Sequence, residues 1–176
     1  MVSLDVGCGE NKQAVIGVDI RRLKGVDVVC DVHFLPFRDE VFDMVRSSVV
    51  VEHVLNPYRF FEEQFRVLKK GGAIYCEADN ARYWRYHLTA TPFEADFVKH
   101  FKSEKYDASR EHLRIYYPEC IMRLFKHFGA VKIRMFQKHS QKKLDKFLSW
   151  ILRFARPNFC SRFIVIGEKC RVVKLR

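Results

Sequence analysis

The stretch VSLDVGCGENKQAVIGVDI, residues 2–20, constrains this chain more than any other. A short apolar run ends in Gly7-Cys8-Gly9, and a second apolar run closes on Asp19. Glycines placed this way let a backbone turn sharply after a strand and bring its N–H groups against a ligand, where a side chain would intrude. Apolar runs rich in Val, Ile and aromatics at 2–6, 15–19, 26–30, 42–46, 73–77, 131–136 and 163–168 read as strands, several of them buried on both faces of a parallel sheet. Asn56-Pro57 opens a helix with Phe60, Phe61, Phe65 and Leu68 on its apolar face and Lys69 and Lys70 in its last turn before Gly71. A second helix begins at Pro118-Glu119 and stops at Gly129. This alternation predicts an α/β fold with a mainly parallel sheet.

Ligands of such sheets sit at the carboxyl ends of the strands. Three successive strand tips here offer the bare turn, Asp19, and Asp31 after VDVVC. Asp19 is placed for a carboxylate that accepts two hydrogen bonds from a ribose diol, and Asp31 for one that accepts an adenine amino group. The dinucleotide pattern G-x-G-x-x-G would need glycine at position 12, which is Lys12. The constellation therefore suits an adenosine that carries no phosphate at the turn.

Taken together, LDVGCGENK, GVDI, CDVHFLPFRDEVFDMV and FRVLKKGGAIYCEADN resemble, in order and spacing, the motifs of the class I S-adenosylmethionine-dependent methyltransferases. EHLRIYYPECIMRLFKHFGAVKIRMF is similar to that family's last helix and sixth strand. The resemblance spans residues 2–80 and, more loosely, 111–136. It implies a Rossmann-like, mainly parallel seven-stranded sheet with a carboxyl-terminal antiparallel strand, and S-adenosyl-L-methionine as cofactor. By the same resemblance Gly7, Cys8 and Gly9 would pass beneath the methionine part. Asp5 would support that turn or reach the methionine amino group. Asp19 would hold the ribose, Ile20 would cover one face of the base, and Asp31 with the Val32 backbone would take the adenine edge. Ser47 and Ser48 would line the methionine end.

The chain departs from the family in its first two crossovers, which are too short for full helices. The face left thin is expected to be shielded by a chain terminus or by a second subunit in a homodimer. Since the first strand pattern starts at residue 2, the helix that often precedes that strand in the family is expected to be absent. A sulfonium brings an activated methyl group, so alignment of the acceptor supplies much of the rate, and an oxygen acceptor also needs a base. His53 in VVVEHVLNP and His112 in EHLRIYYP are the candidate catalytic residues. Glu52-His53 resembles a pair that some quinone-biosynthesis methyltransferases use for a metal, although no metal is expected here. SSVVVEH stands where nucleobase amino-methyltransferases carry Asn/Asp-Pro-Pro-aromatic, and Cys76 sits inside an apolar strand, so base modification is not supported.

At 176 residues without a linker, the chain is expected to form one domain over 1–176. No signal pattern and no span of about 20 apolar residues is visible, and six scattered cysteines show no zinc spacing, so a cytoplasmic protein with reduced thiols is expected. A formal net charge of +11 marks a basic protein and favours anionic partners, nucleic acid among them. Residues 81–117, with Tyr83, Trp84, Tyr86 and Phe93 among basic residues, read as a substrate cover. Residues 140–157 read as a basic amphipathic helix that packs on the sheet or on a partner, or meets a membrane surface through 142–156 or RNA. The reading is a methyltransferase acting on a small-molecule or lipid-linked acceptor. An RNA methyltransferase and a non-catalytic cofactor-binding protein are the alternatives.

Overall fold

The computed structural model describes residues 1–83, 112–138 and 160–170. Seven strands form one sheet: β1 (Ser3–Val6), β2 (Ile16–Asp19), β3 (Val28–Val29), β4 (Phe42–Ser48), β5 (Leu68–Asp79), β6 (Ala130–Lys138) and β7 (Arg162–Lys169). Their order across the sheet is β3-β2-β1-β4-β5-β7-β6. The first five run parallel, and β7 lies antiparallel between β5 and β6. This is the Rossmann-like sheet expected from the sequence, with its order reversing between β1 and β4. Most of the predicted cover, and the predicted helix at 140–157, fall outside the described residues. Among the described residues no helix is long and apolar enough to cross a membrane.

Two helices, α1 (Pro57–Val67) and α2 (Pro118–His127), pack on one face of the sheet. Asn56 caps α1 by accepting the Arg59 N–H at 3.0 Å, and Pro57 takes the first turn, where no donor is missed. Phe60, Phe61 and Phe65 of α1 meet Phe125 of α2 and Leu4, Phe42, Ile74 and Phe163 of the sheet in one core. The rings of Phe61 and Phe125 stand edge to face at 5.5 Å. The helix ends earlier than the sequence pattern suggests, because Leu68 already pairs with Phe42 across β4 and β5. Lys69 and Lys70 therefore belong to β5; Arg66 is the basic residue of the last turn, and Lys169 Nζ caps the helix end from outside by donating to the carbonyls of Phe65 and Leu68 at 2.8 and 2.7 Å.

No helix forms in residues 7–15 or 20–27, which join β1 to β2 and β2 to β3. The first of these connections covers part of the sheet itself. Its own side chains lie on β2: a Cβ at Gly17 would come within 2.7 Å of both Cys8 Sγ and Lys12 Cδ. Lys12 then reaches Asp27 at 2.8 Å, and the same carboxylate accepts the Gly17 N–H at 2.7 Å. The residue that breaks the dinucleotide pattern is thus the one that roofs β2.

Candidate functional site

A cleft of about 350 Å³ opens at the carboxyl ends of β1 to β4. Of the residues picked out in the sequence, Gly7, Asp19, Ile20, Asp31, Val32 and His53 form its wall. Gly7 has φ +69°, and a Cβ there would strike Val50 Cγ2 at 2.5 Å, so the turn tolerates no side chain on two counts. Gly9, at φ +55°, has no described atom within 4 Å of where its Cβ would stand, which leaves open space over the turn.

Asp19 is buried, and its carboxylate is fully engaged. Gly9 N–H donates to Oδ2 at 3.0 Å and Arg21 N–H to Oδ1 at 2.9 Å, while the Arg21 guanidinium takes the remaining positions at 3.1 and 3.5 Å. Burial pushes this carboxyl up, but the Arg21 side chain and the two backbone donors outweigh it and hold it below its ordinary value. A carboxylate offers about four lone-pair sites, so a diol could take the two that the guanidinium fills while the backbone bonds persist. Asp31 is half exposed at the rim. Its Oδ1 accepts the His33 N–H at 2.9 Å and lies 2.6 Å from His33 Nδ1, whereas Oδ2 has no partner among the described residues. Burial raises the Asp31 carboxyl, and the bonds from His33 more than offset it.

Asp5, Cys8, Gly9, Ser47, Ser48 and His112 do not line the cleft. Asp5 accepts the Gln13 N–H at 2.7 Å and faces Arg46 at 3.7 Å, which supports the turn from beneath. Burial raises its pKa over both of those influences. Cys8 is buried against β2, and burial pushes its thiol up to about 11. Ser47 points into the core, and Ser48 donates to Glu77 Oε2 at 3.2 Å. The wall at the end of β4 consists instead of Val49 and Val50, with Val49 at φ 55°, a strained conformation for a β-branched residue.

Behind His53 the structure assembles a second group. The His53 and His112 rings meet edge to face at 4.8 Å, His112 Nδ1 lies 3.4 Å from Asp79 Oδ2, and Arg162 Nε donates to Asp79 Oδ1 at 3.1 Å. Burial lowers the His112 pKa, with His53 and Arg162 adding to that against the pull of Asp79. Glu52, beside His53 in the chain, turns inward: it is fully buried, and its Oε1 accepts the Asp79 N–H. Its Oε1 thereby ties the turn after β4 to the end of β5, its Oε2 is buried without a hydrogen-bond partner, and no group of three metal-ligating side chains occurs among the described residues. Burial pushes Glu52 up to about 7.

The sequence reading missed Arg21, His33, Asp79 and Arg162. Asp79 closes β5 as Asp19 closes β2, so the same strand-tip argument would have found it. His33 follows Asp31 by two positions, the spacing at which an aspartate accepts a backbone N–H in a turn.

Strand order, the antiparallel β7 and the helices α1 and α2 define the class I methyltransferase fold, and the comparisons agree. Residues 4–76 match the family described as methyltransferase domain. The structure superposes on a SAM-dependent methyltransferase from Thermotoga maritima with a TM-score of 0.68 and 19% identity, over 96% of this chain and 82% of that one. An uncharacterized protein of Methanocaldococcus jannaschii is 37% identical over 84 residues, 40% of this chain and 41% of that protein. A demethylmenaquinone methyltransferase of Clavibacter sepedonicus is 41% identical over 70 residues, 37% of this chain and 29% of that protein. The chain thus spans well under half the length of either curated relative. The structural match shows the class I methyltransferase fold.

Proposed function

We propose that this chain is an S-adenosylmethionine-dependent methyltransferase acting on a small-molecule or lipid-linked acceptor. One observation carries the reading: at three adjacent strand tips, a side-chain-free turn, an ionised Asp19 with two exchangeable positions, and an Asp31 with one open oxygen face a single cleft. Apolar Ile20, Val32, Val50, Val54 and Leu55 complete the wall and suit a purine and an aliphatic chain. Asp19 would receive the ribose hydroxyls, Asp31 the adenine amino group, and the open space over Gly9 the methionine portion. The cofactor supplies an activated methyl group, which leaves the protein to orient the acceptor, exclude water and remove a proton where the acceptor is a hydroxyl.

His53 at the cleft wall, with His112 packed against its ring behind it, would supply the base that removes that proton. Because burial depresses the His112 pKa, its ring is neutral at neutral pH and can accept a proton, and methyl transfer should fall as pH drops below the ordinary histidine range. The demethylmenaquinone methyltransferase relative favours a lipid-linked acceptor. The net charge of +11 favours RNA, and binding that weakens steeply with salt would promote that alternative.

Calorimetric titration tests the cofactor reading directly. S-Adenosylhomocysteine should bind the wild type and NAD should not, and Asp19→Ala should weaken binding at least about tenfold, the cost of a lost charge-assisted pair of hydrogen bonds. Binding of NAD in preference, or an Asp19→Ala protein that binds as the wild type does, would overturn it.

A further inference from the structure

His33 carries no role in the reading above, yet it sits in the cleft wall with both ring nitrogens committed. Its Nε2 lies 3.3 Å from the Asn56 backbone N–H, which can only donate, so Nε2 is the acceptor nitrogen and Nδ1 carries the proton. That proton is directed at Asp31 Oδ1, 2.6 Å away. Asn56 is itself fixed as the cap of α1, and Arg59 Nε returns a bond to the His33 carbonyl at 3.2 Å. The loop is held from its far side as well, where Arg66 grips the carbonyls of Leu35 and Phe37 and Glu63 accepts the Leu35 N–H at 2.8 Å.

We infer that His33 is a positioning residue for base selectivity: it locks the Asp31 carboxylate so that Oδ1 is spent inside the protein and Oδ2 alone faces the cleft as an acceptor for an exocyclic amino group. The inference rests on the reading that Asp31 meets the adenine edge. Without the ring, the His33 backbone N–H still touches Oδ1. A half-exposed carboxylate held by one bond can rotate, however, and a rotated one no longer distinguishes an amino group from a carbonyl in the same place. A hypoxanthine ring presents an oxygen where adenine presents an N–H donor, so a fixed acceptor repels it and a mobile one tolerates it.

The experiment compares the dissociation constants of S-adenosylhomocysteine and S-inosylhomocysteine by calorimetry on the full chain, with thermal melting to confirm folding. The wild type should prefer the adenine compound by about tenfold or more, as expected for a hydrogen bond to a charged group. Three variants separate the two nitrogens. Asparagine places an amide where Nδ1 stands, and glutamine places one where Nε2 stands. His33→Asn should therefore keep the preference, while His33→Gln and His33→Ala should reduce it at least about threefold, chiefly by improving relative binding of the inosine compound. A merely structural role for His33 would weaken both ligands in parallel and leave the ratio at its wild-type value, which would overturn the inference. A wild type that binds the adenine compound without preferring it would overturn the Asp31 reading and the inference with it. A wild type that prefers it while His33→Ala and His33→Gln prefer it equally would overturn the inference alone.

Discussion

The two halves of the sheet are held by different physics. Around β4 to β7 the chain is fixed by apolar burial: Phe60 and Phe61 of α1, Phe125 of α2 and Phe163 of β7 are fully buried where the two helices pack on the sheet. Around β1 to β3 the crossover helices are missing, and carboxylates stand in their place. Asp5 holds Gln13 N–H, Asp19 holds Gly9 and Arg21, Asp27 holds Gly17, and Asp31 holds His33. Four strand-end or loop aspartates thus satisfy backbone donors in and beside these helix-free connections. The difference teaches that the candidate cofactor site is also a structural device. Asp19 and Asp31, the acids proposed to meet the ligand, also shape the loops around the cleft.

Deleting a ring from the apolar half should have the largest effect. Phe61→Ala removes a fully buried side chain that contacts Phe60 and Phe125, and should lower unfolding stability by about 3–5 kcal/mol, read by urea denaturation. A loss below 1 kcal/mol would break the contrast, because the core would then be malleable.

Glu52 gives the next largest effect and is a fully buried carboxylate in the apolar half. Its folded value, pushed up to about 7, lies above the ordinary 4.5, so the folded state holds a proton that the unfolded state has released between those pH values. Its contribution is therefore fully present below pH 4.5 and is lost as pH rises through 7. At about 1.4 kcal/mol per pKa unit the loss amounts to about 3 kcal/mol. Glu52→Gln keeps an acceptor for the Asp79 N–H without the charge, so the variant should gain stability relative to the wild type as pH rises from 5 to 8. A difference between the two proteins that does not change with pH would show that burial of this charge is not what separates the halves.

How much of this was legible follows the same division. Short runs rich in Val, Ile, Leu and Phe announced β1, β2, β4 and β7, because β1 and β2 are buried on nearly every residue and β4 and β7 bury alternate ones. The end of α1 was misread because Lys69 and Lys70 satisfy every rule for a helix terminus, and only the pairing of Leu68 with Phe42, distant in the chain, stops the helix sooner. That Gly7, Asp19 and Asp31 come together at the cleft was readable because each answers a local demand: a positive φ, or a strand tip. Ser47 and Ser48 were assigned by resemblance to the methionine end, and the structure turns one into the core and the other toward Glu77. His33 and Arg21 were unreadable from spacing alone, since what matters about each is a partner brought in by folding.

The turn itself offers a sharper comparison within the polar half. Gly7→Ala and Gly9→Ala share a left-handed φ, but only the first drives a Cβ into Val50. Gly7→Ala should cost about 1–3 kcal/mol of stability through overpacking on top of the backbone strain, and Gly9→Ala about 1 kcal/mol from the backbone alone. If a ligand lies over Gly9, its substitution should nevertheless weaken S-adenosylhomocysteine binding by more than its effect on stability. Equal effects on both readouts would place the ligand elsewhere.

Arg21 supplies the smallest and most specific effect. Its guanidinium fills the two positions on Asp19 that a ribose diol would need, and the side chain is about half exposed, 47% by area. An ion pair at that exposure is worth about 0–1 kcal/mol, so its removal should not unfold the site. Arg21→Ala leaves the Gly9 and Arg21 backbone donors in place, because the latter is a main-chain N–H. Adenosine ligands would then no longer have to displace a competitor, and S-adenosylhomocysteine should bind up to about fivefold more tightly, the ratio that corresponds to 1 kcal/mol. Weaker binding would mean that the guanidinium stays and contributes to holding the ligand, and the carboxylates of this half would then act through their paired cations as well as through their own oxygens.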